Sequence, residues 1–214
     1  MGTGQDKIER QKMLRLLLAT QNPGKTREIQ DILANLDVKL VTPAELGLRL
    51  DIPENGDTYA ENAAIKARAF AQETGLLALA DDSGLEVDAL GGAPGLFSAR
   101  YAPMPNATDA DRRAYLLSQL EGKLRPWTAC FHATVAIVTP NSNVDYAHGT
   151  CFGEIIPTER GTDGFGYDAI FLLPELGRTM AELSMAEKNR FSHRARALAN
   201  ARTLLQNKIL QNQR

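Results

Sequence analysis

The stretch Leu76-Leu-Ala-Leu-Ala-Asp-Asp-Ser-Gly84 restricts the fold more than any other: a short apolar run meets two adjacent carboxylates, a hydroxyl and a glycine. An apolar run of this length, stopped by turn-forming residues, predicts a buried strand closing on an acidic turn. Such a strand would deliver Asp81 and Asp82 together at one edge of a sheet, where α/β proteins place ligands. Turn chemistry alone would also account for Asp-Asp-Ser-Gly. Electrostatics gives the pair a further meaning, because side-by-side carboxylates repel and stay ionised only beside a cation, a basic side chain or a hydrogen-bond donor.

Other elements are predicted around this point. Leu14–Ala19 reads as a second buried strand, Thr20-Gln-Asn-Pro-Gly-Lys25 as a loop, and a helix begins near Thr26, where Glu28, Ile29, Ile32, Leu33 and Leu36 fall at helical spacing. Strand, glycine-containing loop and helix N-terminus form a phosphate cradle: backbone N–H groups face the anion, and Lys25 adds a point charge at its mouth. Val38–Val41 suggests another strand, followed by a connection carrying Glu45, Asp51 and Glu54. From Thr58 to Gly75 the pattern is helical, with a small-residue face and Gly75 at the C-cap. Asn62 and Lys66, four apart, share a face of that helix. An exposed lysine is ordinarily just solvated; Lys66 matters only if its face points at Asp81 and Asp82, which the immediate helix-to-strand connection allows.

Beyond the acidic turn, Leu85–Leu90 alternates like a half-buried strand, and Gly91-Gly-Ala-Pro-Gly95 is a loop of the kind that closes over sites. A helix is predicted over Thr108–Leu120. Trp127–Thr139 and Val144–Phe152 then form an antiparallel hairpin turning at 140–143, with His132 and His148 as structural or surface residues. Gly161-Thr-Asp-Gly-Phe-Gly-Tyr-Asp168 brings backbone close to a flat ligand while an aromatic stacks on it, although loops of this composition are often only loops. A strand over Ala169–Leu173, a helical stretch over Met180–Lys188 and a terminal helix capped by Ser192 complete the chain. His193 and Arg194 sit in the first turn of that helix, the end the helix dipole reserves for acids, which marks them as functional candidates.

Composition narrows the partners. A formal net charge of -2 and pI near 6.0 argue against a general nucleic-acid or membrane-surface binder, so any polyanion held must be small and met locally. The 214 residues, 43% hydrophobic, suffice for one domain or two lobes sharing one sheet. Residues 1–13 read as a polar, disordered tail before a single domain over 14–214. Cys130 and Cys151 lack metal-ligand spacing and read as reduced, buried thiols, which with no bilayer-spanning run and no secretory segment fits a cytoplasmic protein.

Two enzyme readings follow. Ala19-Thr-Gln-Asn-Pro-Gly-Lys-Thr26 nearly satisfies the phosphate-loop pattern, with Asp81 as its magnesium-orienting acid, so a P-loop ATPase or phosphotransferase is one. Ala19 stands there in place of the first glycine, and the later motifs are left without work. The other rests on six motifs in order: Ala19–Lys25; Glu61–Lys66; Ala80–Leu85; Gly91–Gly95 running into Ser98-Ala-Arg-Tyr101; Gly164–Asp168; and Glu187-Lys188 with Ser192-His-Arg194. In these the chain resembles the inosine/xanthosine triphosphate pyrophosphatases from about Leu16 to Leu198. A nucleotide-binding regulator without turnover is the alternative from outside enzymology.

The resemblance implies a two-lobed α/β protein, commonly a homodimer, with a long central mixed β-sheet flanked by helices and the active-site cleft between the lobes. It implies Mg²⁺-dependent cleavage of ITP, dITP and XTP at the α–β phosphoanhydride, giving a nucleoside monophosphate and pyrophosphate. Asp82 would be general base and metal-associated carboxylate, supported by Asp81, with Glu54 a further metal acid. Thr20, Gln21, Asn22, Pro23, Gly24 and Lys25 would line the triphosphate, Ser83 would contact substrate, and Lys66 and Lys188 would offset its charge. Phe165, Gly166, Tyr167 and Asp168 with His193 and Arg194 would hold the base. Ala169 stands where the family usually has proline, and Pro53 where many relatives carry an acid.

Overall fold

β1 (Arg15–Leu18) lies between β2 (Lys39–Val41) and β3 (Leu77–Val87), parallel to both, with Leu17 opposite Val41 on one side and Ala78 on the other. β4 (Trp127–Val138) and β5 (Asp145–Ile155) continue the sheet as a long antiparallel hairpin, and the short β6 (Phe171–Leu173) and β7 (Arg178–Thr179) close it. The result is a seven-stranded mixed sheet ordered β2-β1-β3-β4-β5-β6-β7. This computed structural model describes residues 13–140 and 143–212, so nearly all of the expected tail and the tip of the hairpin turn at 141–142 lie outside the described residues.

Helices cover the sheet because their apolar faces match its own. α1 (Pro23–Leu33) and the terminal α5 (His193–Asn212) bury Ile29, Leu33, Leu198 and Leu205 against Leu16, Leu79, Val135 and Ile137. α2 (Tyr59–Thr74) presents Ala63, Ala67 and Ala71 to Ala78, Ala80 and Ala136 on the other face, where small side chains let helix and sheet approach closely. α3 (Asp109–Leu120), capped by Thr108, sends Leu116 and Leu120 into a separate cluster with Leu85, Val87, Phe131, Ile155 and Phe171. α4 (Met185–Phe191) begins on a Ser184–Glu187 capping box. The clusters make two lobes on one sheet.

Several boundaries depart from expectation. α1 starts at Pro23 rather than near Thr26, because the Asn22 side chain caps it and proline fits the first helical position, which needs no N–H. The 180–188 segment divides into a 3₁₀ turn over Met180–Glu182 and α4, and β6 is shorter than predicted because Asp168–Ile170 form a 3₁₀ turn.

The largest correction concerns the acidic turn, which does not exist. β3 runs unbroken from Leu77 to Val87, paired with β4 from Ala78 opposite Val138 to Val87 opposite Ala129, so Asp81-Asp82-Ser83-Gly84 is mid-strand and Leu85–Val87 is its continuation. Gly84 is required there by contact rather than by a turn: a Cβ would stand 2.3 Å from the Gly95 carbonyl oxygen. The polar tetrapeptide lies between the apolar clusters, Leu77 and Leu79 on one side and Leu85 and Val87 on the other. It therefore marks the seam between the lobes. Cys130 and Cys151 are buried free thiols; His132 pairs with Glu86 at 3.2 Å, and the exposed His148 shares a hydrogen bond through Nδ1 with Thr134 Oγ1 at 3.0 Å.

Candidate active site

Strand alternation sends the two aspartates to opposite faces of the sheet. On the α2 face, Asp82 Oδ1 accepts from Lys66 Nζ at 2.7 Å, and the same ammonium donates to Glu54 Oε1 at 2.9 Å. The helix-to-strand connection does aim Lys66 at the pair, but at Asp82 alone. Asn62, one turn earlier on α2, steadies the Glu54 segment: its Oδ1 accepts from the Gly56 N–H at 2.8 Å. Arg100 Nη1 reaches Glu54 Oε2 at 3.3 Å. Burial raises the Asp82 carboxyl above its usual pKa against the pull of Lys66, which favours a proton acceptor. Burial also opposes charge on Lys66, but Asp82 and Glu54 outweigh it and keep the ammonium protonated.

The other face is closed by charge. Asp81 Oδ2 accepts from Arg194 Nε at 3.1 Å and Nη2 at 2.9 Å, and pairs with Lys25 Nζ at 3.0 Å. Arg194 Nη2 donates to Ser83 Oγ at 3.0 Å and its Nη1 to Glu28. Glu28 Oε1 meets Lys188 Nζ at 2.6 Å, and that ammonium meets Asp168 Oδ2 at 2.5 Å. Lys25, Asp81, Arg194, Glu28, Lys188 and Asp168 thus alternate in sign through both lobes. Burial alone would raise the Asp81 pKa, yet Arg194 and Lys25 hold it well below the usual carboxylate range. His193, 4% exposed, stacks on Phe131 with centroids 4.6 Å apart, and its Nδ1 has no hydrogen-bond partner among the described residues. Burial, then Arg194, pushes its pKa well below the usual value, so the imidazole is neutral.

A cavity of about 360 Å³ runs along the seam. Of the residues expected there, Thr20, Gln21, Asn22, Lys25, Glu54, Lys66, Asp82, Ser83, Phe165, Gly166, Tyr167, Asp168, Lys188, His193 and Arg194 border it, whereas Pro23, Gly24 and Asp81 do not. The backbone phosphate cradle is not open: Asn22 Oδ1 already accepts from the Gly24 and Lys25 N–H groups at 2.8 and 3.1 Å. Lys25 turns its ammonium onto Asp81, including the Asp81 carbonyl at 3.2 Å, so the loop offers that side chain rather than its amides, and the P-loop reading gains no support. Gly24 serves packing, because a Cβ there would stand 2.6 Å from Phe165 Cδ1. Tyr167 is a buried wall, its hydroxyl donating to the Ser98 carbonyl at 2.9 Å, and Lys188 and Arg194 are committed to buried carboxylates.

Asp82 and Glu54, two hard carboxylates converging on one cation, are a donor set that suits Mg²⁺ completed by phosphate oxygens and water. No group of three or more His, Cys, Asp and Glu that could hold a metal occurs among the described residues, so Asp82 and Glu54 would by themselves complete no ion's shell. Sequence reasoning missed Glu28 as a hub, although a carboxylate at an apolar helical position was its signal, and it missed the Asp109 and Arg112 side chains that also border the cavity.

The sequence profile of the Ham1 family matches residues 16–204. A dITP/XTP pyrophosphatase of Desulforamulus reducens is 46% identical over 193 residues, covering 90% of this chain and 96% of its own. One of Thermus thermophilus is 47% identical over 188 residues, covering 86% and 88%. The structure of a HAM1 protein from Coxiella burnetii aligns with a TM-score of 0.82 at 46% identity, over 91% of this chain and 100% of that one. The match spans both lobes and every residue named along the seam, from Thr20 to Arg194, and by that extent the chain belongs to the Ham1 family.

Proposed function

We propose that this protein is a Mg²⁺-dependent nucleoside triphosphate pyrophosphatase that hydrolyses ITP, dITP and XTP between the α and β phosphates, releasing the monophosphate and pyrophosphate. The observation that carries it is the Asp82–Lys66–Glu54 cluster opening on the same cavity as Phe165 and His193. Family membership and relatives named dITP/XTP pyrophosphatases support it.

Asp82 accepts the proton of the attacking water, its basicity raised by burial. Lys66 holds the Asp82 carboxylate in place and, with Lys25 at the opposite wall, offsets triphosphate charge. Asp82 and Glu54 would hold Mg²⁺, which when bound supplies further charge neutralisation on the phosphates. Asp81 acts through the fold, fixing β3 against Arg194 and Lys25.

Base choice falls to His193, since Arg194 is already spent on Asp81, Glu28 and Ser83. With its proton on Nδ1, which lacks a partner among the described residues, His193 would donate to the 6-oxo group of a hypoxanthine or xanthine that reaches it; adenine's 6-amino group would leave that buried donor unpaired. Phe165 supplies the aromatic wall. A homodimer in the cytoplasm completes the reading, on the strength of the family resemblance. Purified protein with Mg²⁺ is expected to convert ITP to inosine monophosphate and pyrophosphate, identified by phosphorus NMR. Release of orthophosphate, or preference for ATP, sinks the proposal.

A further inference from the structure

Helix α3 contributes nothing to the alternating run of buried charges, yet its first turns grip the glycine-rich loop. Gly166 adopts a left-handed backbone, φ 62°, and both of its peptide groups are taken by α3. Its N–H donates to Asp109 Oδ2 at 2.7 Å, and its carbonyl accepts from Arg113 Nη1 at 2.8 Å. Each anchor is itself held. Asp109 pairs with Arg112, whose Nη1 donates to the Ala107 carbonyl at 2.6 Å. Arg113 makes a two-pronged pair with Glu159, Nε to Oε1 at 2.8 Å and Nη2 to Oε2 at 2.9 Å, the geometry that fixes a guanidinium best.

The held glycine separates Phe165 from Tyr167. Phe165 lies against Gly24 of the opposite lobe, with the Lys188 and Arg194 cations 5.1 and 5.6 Å from its ring centroid. Tyr167 is tied to Ser98. A peptide fixed on both sides of Gly166 leaves the Phe165 ring little freedom to swing away from the seam.

We propose that Asp109 and Arg113 are positioning residues for the purine base: they clamp Gly166 so that Phe165 stays in place as the aromatic wall, and they act on base binding rather than on hydrolysis. This rests on the reading of the cavity as a nucleotide site. Asp109→Ala is expected to raise the KM for ITP and the inhibition constant of inosine monophosphate about tenfold each, with kcat within about twofold, the effect of one charged hydrogen bond. Inhibition by pyrophosphate, which has no base, stays unchanged. Asp109→Asn keeps an acceptor for the Gly166 N–H and recovers most of the affinity. Arg113→Lys loses the fork to Glu159, behaves like Asp109→Ala, and replaces it should that variant not fold. Hydrogen exchange of the Gly166 amide, followed by NMR without nucleotide, is expected to quicken in either variant. Equal weakening of inosine monophosphate and pyrophosphate, or unchanged Gly166 exchange, overturns the clamp. A wild-type protein that releases no pyrophosphate from ITP overturns the reading of the site instead, and the exchange measurement still decides whether α3 holds Gly166.

Discussion

Asp81 and Asp82 are chemically identical neighbours, yet Asp81 is enclosed by Arg194 and Lys25 while Asp82 borders the cavity and meets one ammonium that it shares with Glu54. A single strand separates these environments. On the closed face, every charge from Lys25 to Asp168 has an opposite charge against it, and the carboxylate is held ionised. On the open face, burial raises the Asp82 pKa and the partners are few. Alternation thus lets one tetrapeptide tie the two lobes together through Asp81 and present a second carboxylate, Asp82, to the cavity at their seam, without the two competing for the same surroundings.

The largest expected effect tests the open face. Asp82→Asn should lower kcat for ITP by about 10³-fold, within the range for losing a positioned general base. Its thermal midpoint should move by no more than a few degrees, because Lys66 keeps Glu54. Normal ITP turnover in a folded Asp82→Asn protein would put the base elsewhere.

The closed face should respond through stability. Glu28→Gln leaves Lys188 and Arg194, both nearly fully buried, short of one carboxylate, and should cost about 3–5 kcal/mol in urea denaturation. Its pH dependence has a definite sign. Burial would raise the Glu28 pKa, but Arg194 and Lys188 hold it below the ordinary 4.5, so its contribution is present above that value and lost as the pH falls through the folded pKa. Wild-type stability should therefore drop below pH 4.5 more steeply than that of Glu28→Gln. Parallel curves for the two proteins would mean that Glu28 is not held ionised by its partners.

Arg100→Ala should have the smallest effect. Its guanidinium, 46% exposed, meets Glu54 at 3.3 Å on the open face, and such pairs contribute under about 1 kcal/mol. A loss above about 2 kcal/mol would erase the distinction between a closed face that holds the fold and an open face that does not.

Much of this architecture was legible in the residues. The apolar runs gave the strands, Thr58, Thr108 and Ser192 stand at helix starts, and most of the residues expected at the site border one cavity. What misled was local: Asp-Asp-Ser-Gly satisfies turn chemistry, and Ala19–Thr26 nearly satisfies the P-loop pattern. Neither reading could include partners that arrive from afar. Arg194, 113 residues from Asp81, together with Lys25 makes continuation of the strand tolerable by neutralising a carboxylate that would otherwise be buried alone.

The sequence by itself determined the order of elements, their apolar faces and the kinds of side chain available for metal, phosphate and base, because these depend on periodicity and composition along the chain. Only the tertiary structure decided that β3 passes through the acidic pair, that Asp81 is enclosed by Arg194 and Lys25 while Asp82 borders the cavity, and that Glu28 pairs with both Lys188 and Arg194. The reason is electrostatic. A charged side chain near a seam is reactive or structural according to which opposite charges pack against it, and those come from α1, α2, α4 and α5, elements that meet only when the sheet is complete.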